Sequence, residues 1–418
     1  MINLAINGGE KVRKNPFPGY PEIGEEEINA VNDVLRSGKL STFHSSFYGG
    51  EKVREFEEEF AKYHNVKYAI ASNSGTAALH IAVAAAGIGP GDEVITTPYT
   101  FTSTATSILM HNAIPIFADI NPETLCIDPK SIRSKITDKT KAIIVVHLLG
   151  NIADMDEIMS IARERNLRVI EDAAQAIGSK SKGRLAGTMG DLATFSFQEN
   201  KNLMTGEGGM TITNDPDLAK RCQLIRNHGE DCSREEMRSY ISTSLGWNYR
   251  MTEIESAIGL VQLKKLDKGN EIRKENANFL NEEFNKIEGI TPQLIKEGIE
   301  STYHLYGIFI DEEKLGISRD KLVEALIAEG IPASKGYSHP LYMNPLFLNK
   351  TVYGTKGCPF SCKFYDRNIE YKAGLCPNIE KACKKTIWFN QVRPPANLED
   401  MKDIIDAFKK IIENKNEL

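Results

Sequence analysis

Three short stretches of this sequence hold residues that could do chemistry together. The first is A-T-F-S-F-Q-E-N-K-N-L-M-T-G-E-G-G-M-T-I at Ala193–Ile212. An apolar strand stops, a polar stretch holds Lys201, and Thr205-Gly206-Glu207-Gly208-Gly209 forces a turn before a second strand. Most lysines in such a chain are surface solubilisers, but this one follows a sheet strand and precedes three glycines that favour an unusual backbone path. A lysine held in a dry pocket beside a cationic ring has a lowered pKa and can form an imine. The second stretch is V-I-E-D-A-A-Q-A at Val169–Ala176. Its two acids sit at the carboxyl end of a buried strand, where open α/β sheets place ligands. A carboxylate buried there needs a cation or strong donor, and a protonated pyridine nitrogen would serve; a helix N-cap at Asp172 is the plainer alternative. The third is S-N-S-G-T-A-A-L-H at Ser72–His80, a strand end, a tight turn and an Ala-rich helix. Helix N-termini bind anions, although Ser74 or Thr76 as an ordinary N-cap explains the same residues. Taken together, an anion cradle, a carboxylate and a lysine nucleophile stand at the ends of three separate predicted strands. That is the protein equipment for pyridoxal phosphate.

Elements that could bring these stretches together are visible around them. Short apolar runs at Tyr68–Ala71, Glu93–Thr97, Ile114–Asp119, Ala142–His147, Arg168–Glu171, Thr194–Phe197 and Met210–Thr213 alternate with helical patterns. Several lack alternation, as strands buried on both faces do. The reading is an α/β fold, with a mostly parallel seven-stranded sheet flanked by helices. At 418 residues, two domains are expected: a large one over 1–265, with an N-terminal arm over 1–25, and a smaller α+β one over 266–418. Upstream of the sheet, Val53, Phe56, Phe60 and Tyr63 recur at helical spacing, and the acidic run Glu55, Glu57, Glu58, Glu59 reads as a solvated face. One helix is expected over Thr252–Leu266 and a long polar one after it, through Asn281. Near the end, Met401, Ile404, Ile405, Phe408, Ile411 and Ile412 form one apolar helical stripe.

The net charge of -6 leaves no basic surplus for nucleic acid. The longest apolar stretches, around Ile81–Gly89 and Ala142–Gly150, fall short of the roughly 20 residues a membrane span needs. The N-terminus has no signal-type pattern, and seven cysteines in a long chain read as reduced cytoplasmic thiols.

With these motifs in place, the chain resembles the DegT/StrS-type sugar aminotransferases of the fold type I pyridoxal-phosphate superfamily. The resemblance runs through G-G-E-K-V-R-E-F-E at Gly49–Glu57, S-G-T-A-A-L, G-P-G-D-E-V-I-T-T-P-Y-T-F at Gly89–Phe101, V-H-L-L-G, E-D-A-A-Q-A, the Lys201 segment, I-R-N-H-G and G-W-N-Y-R-M-T-E-I. It implies that Lys201 carries the cofactor as a Schiff base and serves as general acid and base. It further implies that Asp172 pairs with the pyridine nitrogen, Gln175 sits near the ring hydroxyl and Phe101 stacks on the ring. Gly75, Thr76 and Ser196 would hold the phosphate. Asn248 would reach the phosphate of a neighbouring subunit, which requires a homodimer with shared active sites. His147, His304 and His339 match positions near the family's substrate pocket, and ordinary buried histidines fit equally.

The implied reaction moves an amino group from glutamate or glutamine to a keto sugar or keto-cyclitol. L-A-I-N-G-G-E-K-V-R and F-S-F-Q resemble the keto-cyclitol and aminohydroxybenzoate branch. An aromatising dehydratase of the 3-amino-5-hydroxybenzoate synthase type is the enzymatic alternative, and a regulator on the same fold the non-enzymatic one. Arg226 and Arg250 are candidates for the donor's carboxylate. Cys358, Cys362, Cys376 and Cys383 lie in an insertion over 350–385; lacking paired C-x-x-C spacing, they read as free thiols in a substrate-shaping loop rather than metal ligands.

Overall fold

The computed structural model describes residues 3–41, 43, 48–231, 240–354 and 356–418. Seven strands make the central sheet: β1 (Tyr68–Ser72), β2 (Glu93–Thr96), β3 (Ile114–Phe117), β4 (Thr140–Val146), β5 (Arg168–Asp172), β6 (Leu192–Ser196) and β7 (Gly209–Thr213), in the order β1-β7-β6-β5-β4-β2-β3. The pairs among β2 to β6 are parallel, and β7 runs antiparallel to both β1 and β6. Each strand lies within a residue or two of its expected run.

Period-two alternation sorts the strand residues between two apolar layers. Ala71, Ile143, Val145, Val169, Ala193 and Phe195 join the layer under α1 (Glu51–His64), with Phe56 and Phe60. Ile70, Ile144, Ile170 and Leu192 join the opposite layer, with α2 (Gly75–Ala85) and Ile108 of α3 (Thr102–Leu109). Val146, Asp172 and Thr194 pair in register across β4, β5 and β6, and their parity puts them on the α2 side. Glu171, one residue earlier, must face the other way.

The acidic run on α1 departs from its expected solvated role at one position. Glu57 is buried, ion-paired to the fully buried Arg226, and accepts the Ala71 N–H at 2.8 Å. Its partner lies 169 residues away in sequence, so helical periodicity around Glu57 carries no sign of it. Glu57→Ala leaves a buried guanidinium without a counter-charge. A loss of about 3–5 kcal/mol is expected in denaturant unfolding; a loss under about 1 kcal/mol would show that the pair is not holding α1 to the sheet.

The two helices expected after residue 252 are one, α4 (Glu253–Phe284), opened by a capping box of Thr252 and Glu255. It runs unbroken through Gly269-Asn270. Asn270 there accepts from Asn202 Nδ2 at 2.9 Å and donates to the Ile177 carbonyl at 3.2 Å, so tertiary bonds hold a local sequence that favours a stop. Beyond it, β8 (Ile290–Pro292), β9 (Tyr306–Ile310) and β10 (Thr386–Phe389) form a small antiparallel sheet. It shares an apolar cluster with Phe284 and with Met401, Ile404, Ile405, Phe408 and Ile411 of α5 (Leu398–Glu413). The N-terminal arm crosses this part of the chain, with Arg13 paired to Asp400 and Asp403.

β3 is an edge strand of the central sheet, and the cysteine-bearing segment covers it. Tyr371 Oη donates to the Pro115 carbonyl at 2.8 Å, Cys376 Sγ lies 3.8 Å from the Phe117 carbonyl, and Asp119 accepts the N–H groups of Asn378 and Ile379. Pro115 has no N–H, a deficit tolerated on an edge. Cys358, Cys362, Cys376 and Cys383 are free thiols; burial pushes Cys376 and Cys383 up to about 12, which keeps them protonated. Among the described residues no group of three or more histidine, cysteine or acidic side chains could hold a metal ion, and no helix is long and apolar enough to cross a membrane.

Candidate active site

A cavity of about 440 Å³ opens at the carboxyl ends of β4, β5 and β6, where Val146, Asp172 and Ser196 end their strands. Parallel strands place ligand sites at this end. Its lining brings together Gly75, Thr76, Phe101, Asp172, Gln175, Ser196 and Lys201, the seven residues expected to contact the cofactor from within one chain.

Lys201 sits in the loop after β6. The loop is closed by the bond from its own N–H to the Gln198 carbonyl at 2.8 Å, by Glu199 N to Gly206 O, and by Thr205 N to Phe197 O. Gly206 and Gly208 take positive φ, 86° and 154°, which a side chain would resist. Burial lowers the Lys201 amine to about 8, partly offset by the charge of Asp172.

Asp172 is buried. It accepts from Thr104 Oγ1 at 2.7 Å and from the Ala174 N–H at 3.3 Å, and Thr100 bonds Thr104 from behind at 2.9 Å. Burial raises its pKa, and the bonds and the Lys201 charge only partly counter this. No helix begins at Asp172, so the capping alternative falls away. Thr104 was not singled out in sequence; the hydroxyl-rich T-F-T-S-T run was the available signal.

At the other end of the cavity, α2 begins. Ser74 does cap it, accepting the Ala77 N–H at 3.1 Å, and the helix N-terminus also faces the cavity through Gly75 and Thr76. A Cβ on Gly75 would stand 2.6 Å from Ser196 Cβ, so only glycine lets the helix end approach Ser196 this closely. Phe101, 61% exposed, is an unusually open aromatic at the cavity wall. Gln175 Oε1 accepts the N–H of Leu149 at 2.8 Å, which leaves its NH₂ group as donor; Leu149 takes φ +60°, rare for a bulky residue.

Other singled-out residues lie elsewhere. His147 is fully buried on the far face of the sheet. Its Nδ1 accepts the Ala153 N–H at 3.3 Å, so Nε2 carries the proton donated to Glu171 at 2.8 Å. Glu171 also accepts from the backbone of Gly187, Met189 and Gly190, a structural network. His339 is exposed, bonded to Ser338 and Asn344. His304 is buried, and its pKa falls well below the usual value through burial and then the charges of Lys201, Arg273 and Arg393. Arg226 is committed to Glu57, and Arg250 Nη1 donates to Asn227 Oδ1 at 2.9 Å. Asn248 is exposed outside this cavity, its carbonyl accepting from Asn73 Nδ2 at 3.3 Å. Tyr20, unnoticed in sequence, donates to the Lys201 carbonyl.

The fold and site together define a fold type I aminotransferase architecture. A family model described as DegT/DnrJ/EryC1/StrS aminotransferase family matches residues 21–373, and the chain belongs to that family of pyridoxal-phosphate-dependent aminotransferases. It is 37% identical to the spore coat polysaccharide biosynthesis protein SpsC of Bacillus subtilis, over 96% of this chain and 98% of that one. It is 34% identical to the L-glutamine:2-deoxy-scyllo-inosose aminotransferase of Streptoalloteichus tenebrarius, over 100% of this chain and 99% of the other. Among solved structures, an aminotransferase from Psychrobacter cryohalolentis superposes with a TM-score of 0.85 at 31% identity, covering 96% of this chain and 99% of that one.

Proposed function

We propose that Lys201 carries pyridoxal phosphate in this cavity and that the enzyme moves the amino group of glutamine or glutamate to a keto-cyclitol or keto sugar. The carrying observation is a half-buried lysine and a buried carboxylate in one cavity, with a helix N-terminus at its other end. The lining fits the cofactor. The backbone N–H groups at Gly75 and Thr76 and the Ser196 hydroxyl would hold the phosphate. Asp172 would keep a proton on the ring nitrogen, and Phe101 would lie against the ring. Gln175 would offer its NH₂ group to the ring hydroxyl. Bound there, pyridoxal phosphate supplies a conjugated ring that takes up the electron pair left when the donor loses its α-proton.

Lys201 would hold the cofactor through its amine, and the same amine, once free, would serve as the base that takes the proton from the donor's α-carbon and as the acid that gives it back. An amine near 8 suits both halves of that transfer at neutral pH. Asn248 of a second copy would complete the phosphate site, making the working enzyme a homodimer. The inosose aminotransferase relative favours glutamine as donor and a ring ketone as acceptor.

The cofactor-loaded enzyme is expected to lose its lysine-linked visible absorbance on addition of glutamine, and to regain it on addition of a keto-inositol. No change with either glutamine or glutamate would sink the reading. Recovery only with nucleotide-linked keto sugars would replace the ring-ketone acceptor with those.

A further inference from the structure

Asp172 ends β5 with its two carboxylate oxygens in unequal company. Oδ2 accepts the Thr104 hydroxyl at 2.7 Å, whereas Oδ1 has only the Ala174 N–H at 3.3 Å. Thr104 comes from the first turn of α3, 68 residues earlier in the chain. Its hydroxyl lies 2.9 Å from that of Thr100, and all three residues are buried. Phe101, the exposed ring at the cavity wall, is the N-cap residue of α3, and its carbonyl accepts the Thr104 N–H at 3.2 Å. One turn of helix therefore carries both the aromatic ring and the hydroxyl that grips Asp172.

Hydroxyl chemistry fixes the direction of this chain. An ionised carboxylate only accepts, so Thr104 must give its single proton to Asp172. Thr104 can then only accept from Thr100. The run from Thr100 through Thr104 to Asp172 is a one-way donor chain ending on a negative charge. A hydrogen bond to an ionised acceptor is stronger than one between neutral groups, and each donor upstream polarises the next. Burial drives the Asp172 carboxyl towards its neutral form; of what opposes burial, the Thr104 hydroxyl comes first, ahead of the Ala174 N–H and the Lys201 charge. Valine has the same outline as threonine without the hydroxyl, so packing alone gives no reason for threonine at this place.

We propose that Thr104 is a positioning residue for the cofactor's ring nitrogen: by occupying Oδ2 of Asp172 it holds the carboxylate in one orientation and leaves Oδ1 for the protonated nitrogen. The proposal rests on Asp172 facing that nitrogen. Thr100 acts one step further back, by supplying the hydrogen bond that Thr104 is left to accept.

The test uses the full chain stripped of cofactor and two ligands that bind without a covalent link: pyridoxamine phosphate, and its analogue with carbon in place of the ring nitrogen. The parent is expected to prefer pyridoxamine phosphate, since only that ligand can meet Asp172 with a protonated nitrogen. Thr104→Val is expected to shrink the preference about tenfold, and Thr104→Ala should repeat the result with a smaller side chain. Thr104→Ser, which keeps the hydroxyl, should stay within threefold of the parent. The nitrogen-15 resonance of labelled, bound pyridoxamine phosphate should shift towards its unprotonated position in Thr104→Val and hold in Thr104→Ser. The proposal is overturned if Thr104→Val and Thr104→Ala keep the parent's preference, weaken both ligands alike or leave the resonance unmoved. Thr104→Ser falling as far as Thr104→Val overturns it too. A parent with no preference between the two ligands would instead bring down the pairing of Asp172 with the ring nitrogen, and this proposal with it.

Discussion

Lys201→Ala is expected to abolish the lysine-linked absorbance of the bound cofactor and to lower turnover by about 10⁴-fold or more. Two roles are lost at once, covalent attachment and proton transfer, and the second alone contributes typically about 10²–10⁴-fold. Gly75, Thr76 and Ser196, proposed to hold the phosphate, line the cavity and are untouched by the substitution, so the variant should still bind the cofactor, reversibly and without its characteristic colour. The pH dependence of attachment gives a second measurement. With the amine at about 8, attachment to the cofactor-free parent should speed up about tenfold per pH unit below 8 and level off above it. An ordinary surface lysine would keep accelerating towards about 10.4. Turnover retained within tenfold in Lys201→Ala, or an attachment rate still climbing at pH 10, would dismiss Lys201 from its role.

Asp172→Asn is expected to separate activity from stability. Removing the negative charge opposite the ring nitrogen should cut turnover on the order of 10²–10³-fold. The cofactor should stay linked to Lys201, so its absorbance persists. Stability should move the opposite way. Burial raises the Asp172 pKa above 3.8, so the folded chain holds its proton more tightly than the unfolded chain does. Stability from this group therefore declines as pH rises from 3.8 through the folded value, and the penalty is fully present above that value. Asparagine carries no charge and keeps the shape that Thr104 bonds, so the cofactor-free variant should melt at or above the parent at pH 7, with the gain fading below pH 4. Turnover within threefold of the parent, or a lower melting temperature at pH 7, would remove the account given for this carboxylate.

The sheet was legible because its parallel strands are buried on both faces and read as unbroken Val, Ile and Phe runs. Lys201 and Asp172 were legible because each stands at the end of such a run, next to residues that a plain loop has no use for. The acidic run of α1 misled at Glu57 because solvation was read from one helix, while the deciding partner, Arg226, comes from another part of the chain. Arg226 and Arg250 looked like donor-binding candidates for the same reason in reverse: a charge in sequence does not reveal that it is already committed. Thr104 stands 68 residues from Asp172, and no local pattern joins the two. The two helices expected from Thr252 to Asn281 are one, and within it Asn270 is tied down through bonds to distant residues that no local pattern shows.

The cover over β3 bears on how this chain can assemble and diversify. Tyr371 and Cys376 occupy alternate carbonyls of that strand, positions an incoming strand from another molecule would need. The sheet therefore cannot be extended on this flank, and an approach of another copy to it would meet the cover rather than the strand. The stretch around Cys358 and Cys362 is anchored too, with Phe360 buried beside Tyr371 and Tyr365 Oη donating to Glu93 Oε1 at 2.8 Å, so a change of length there would have to keep both anchors.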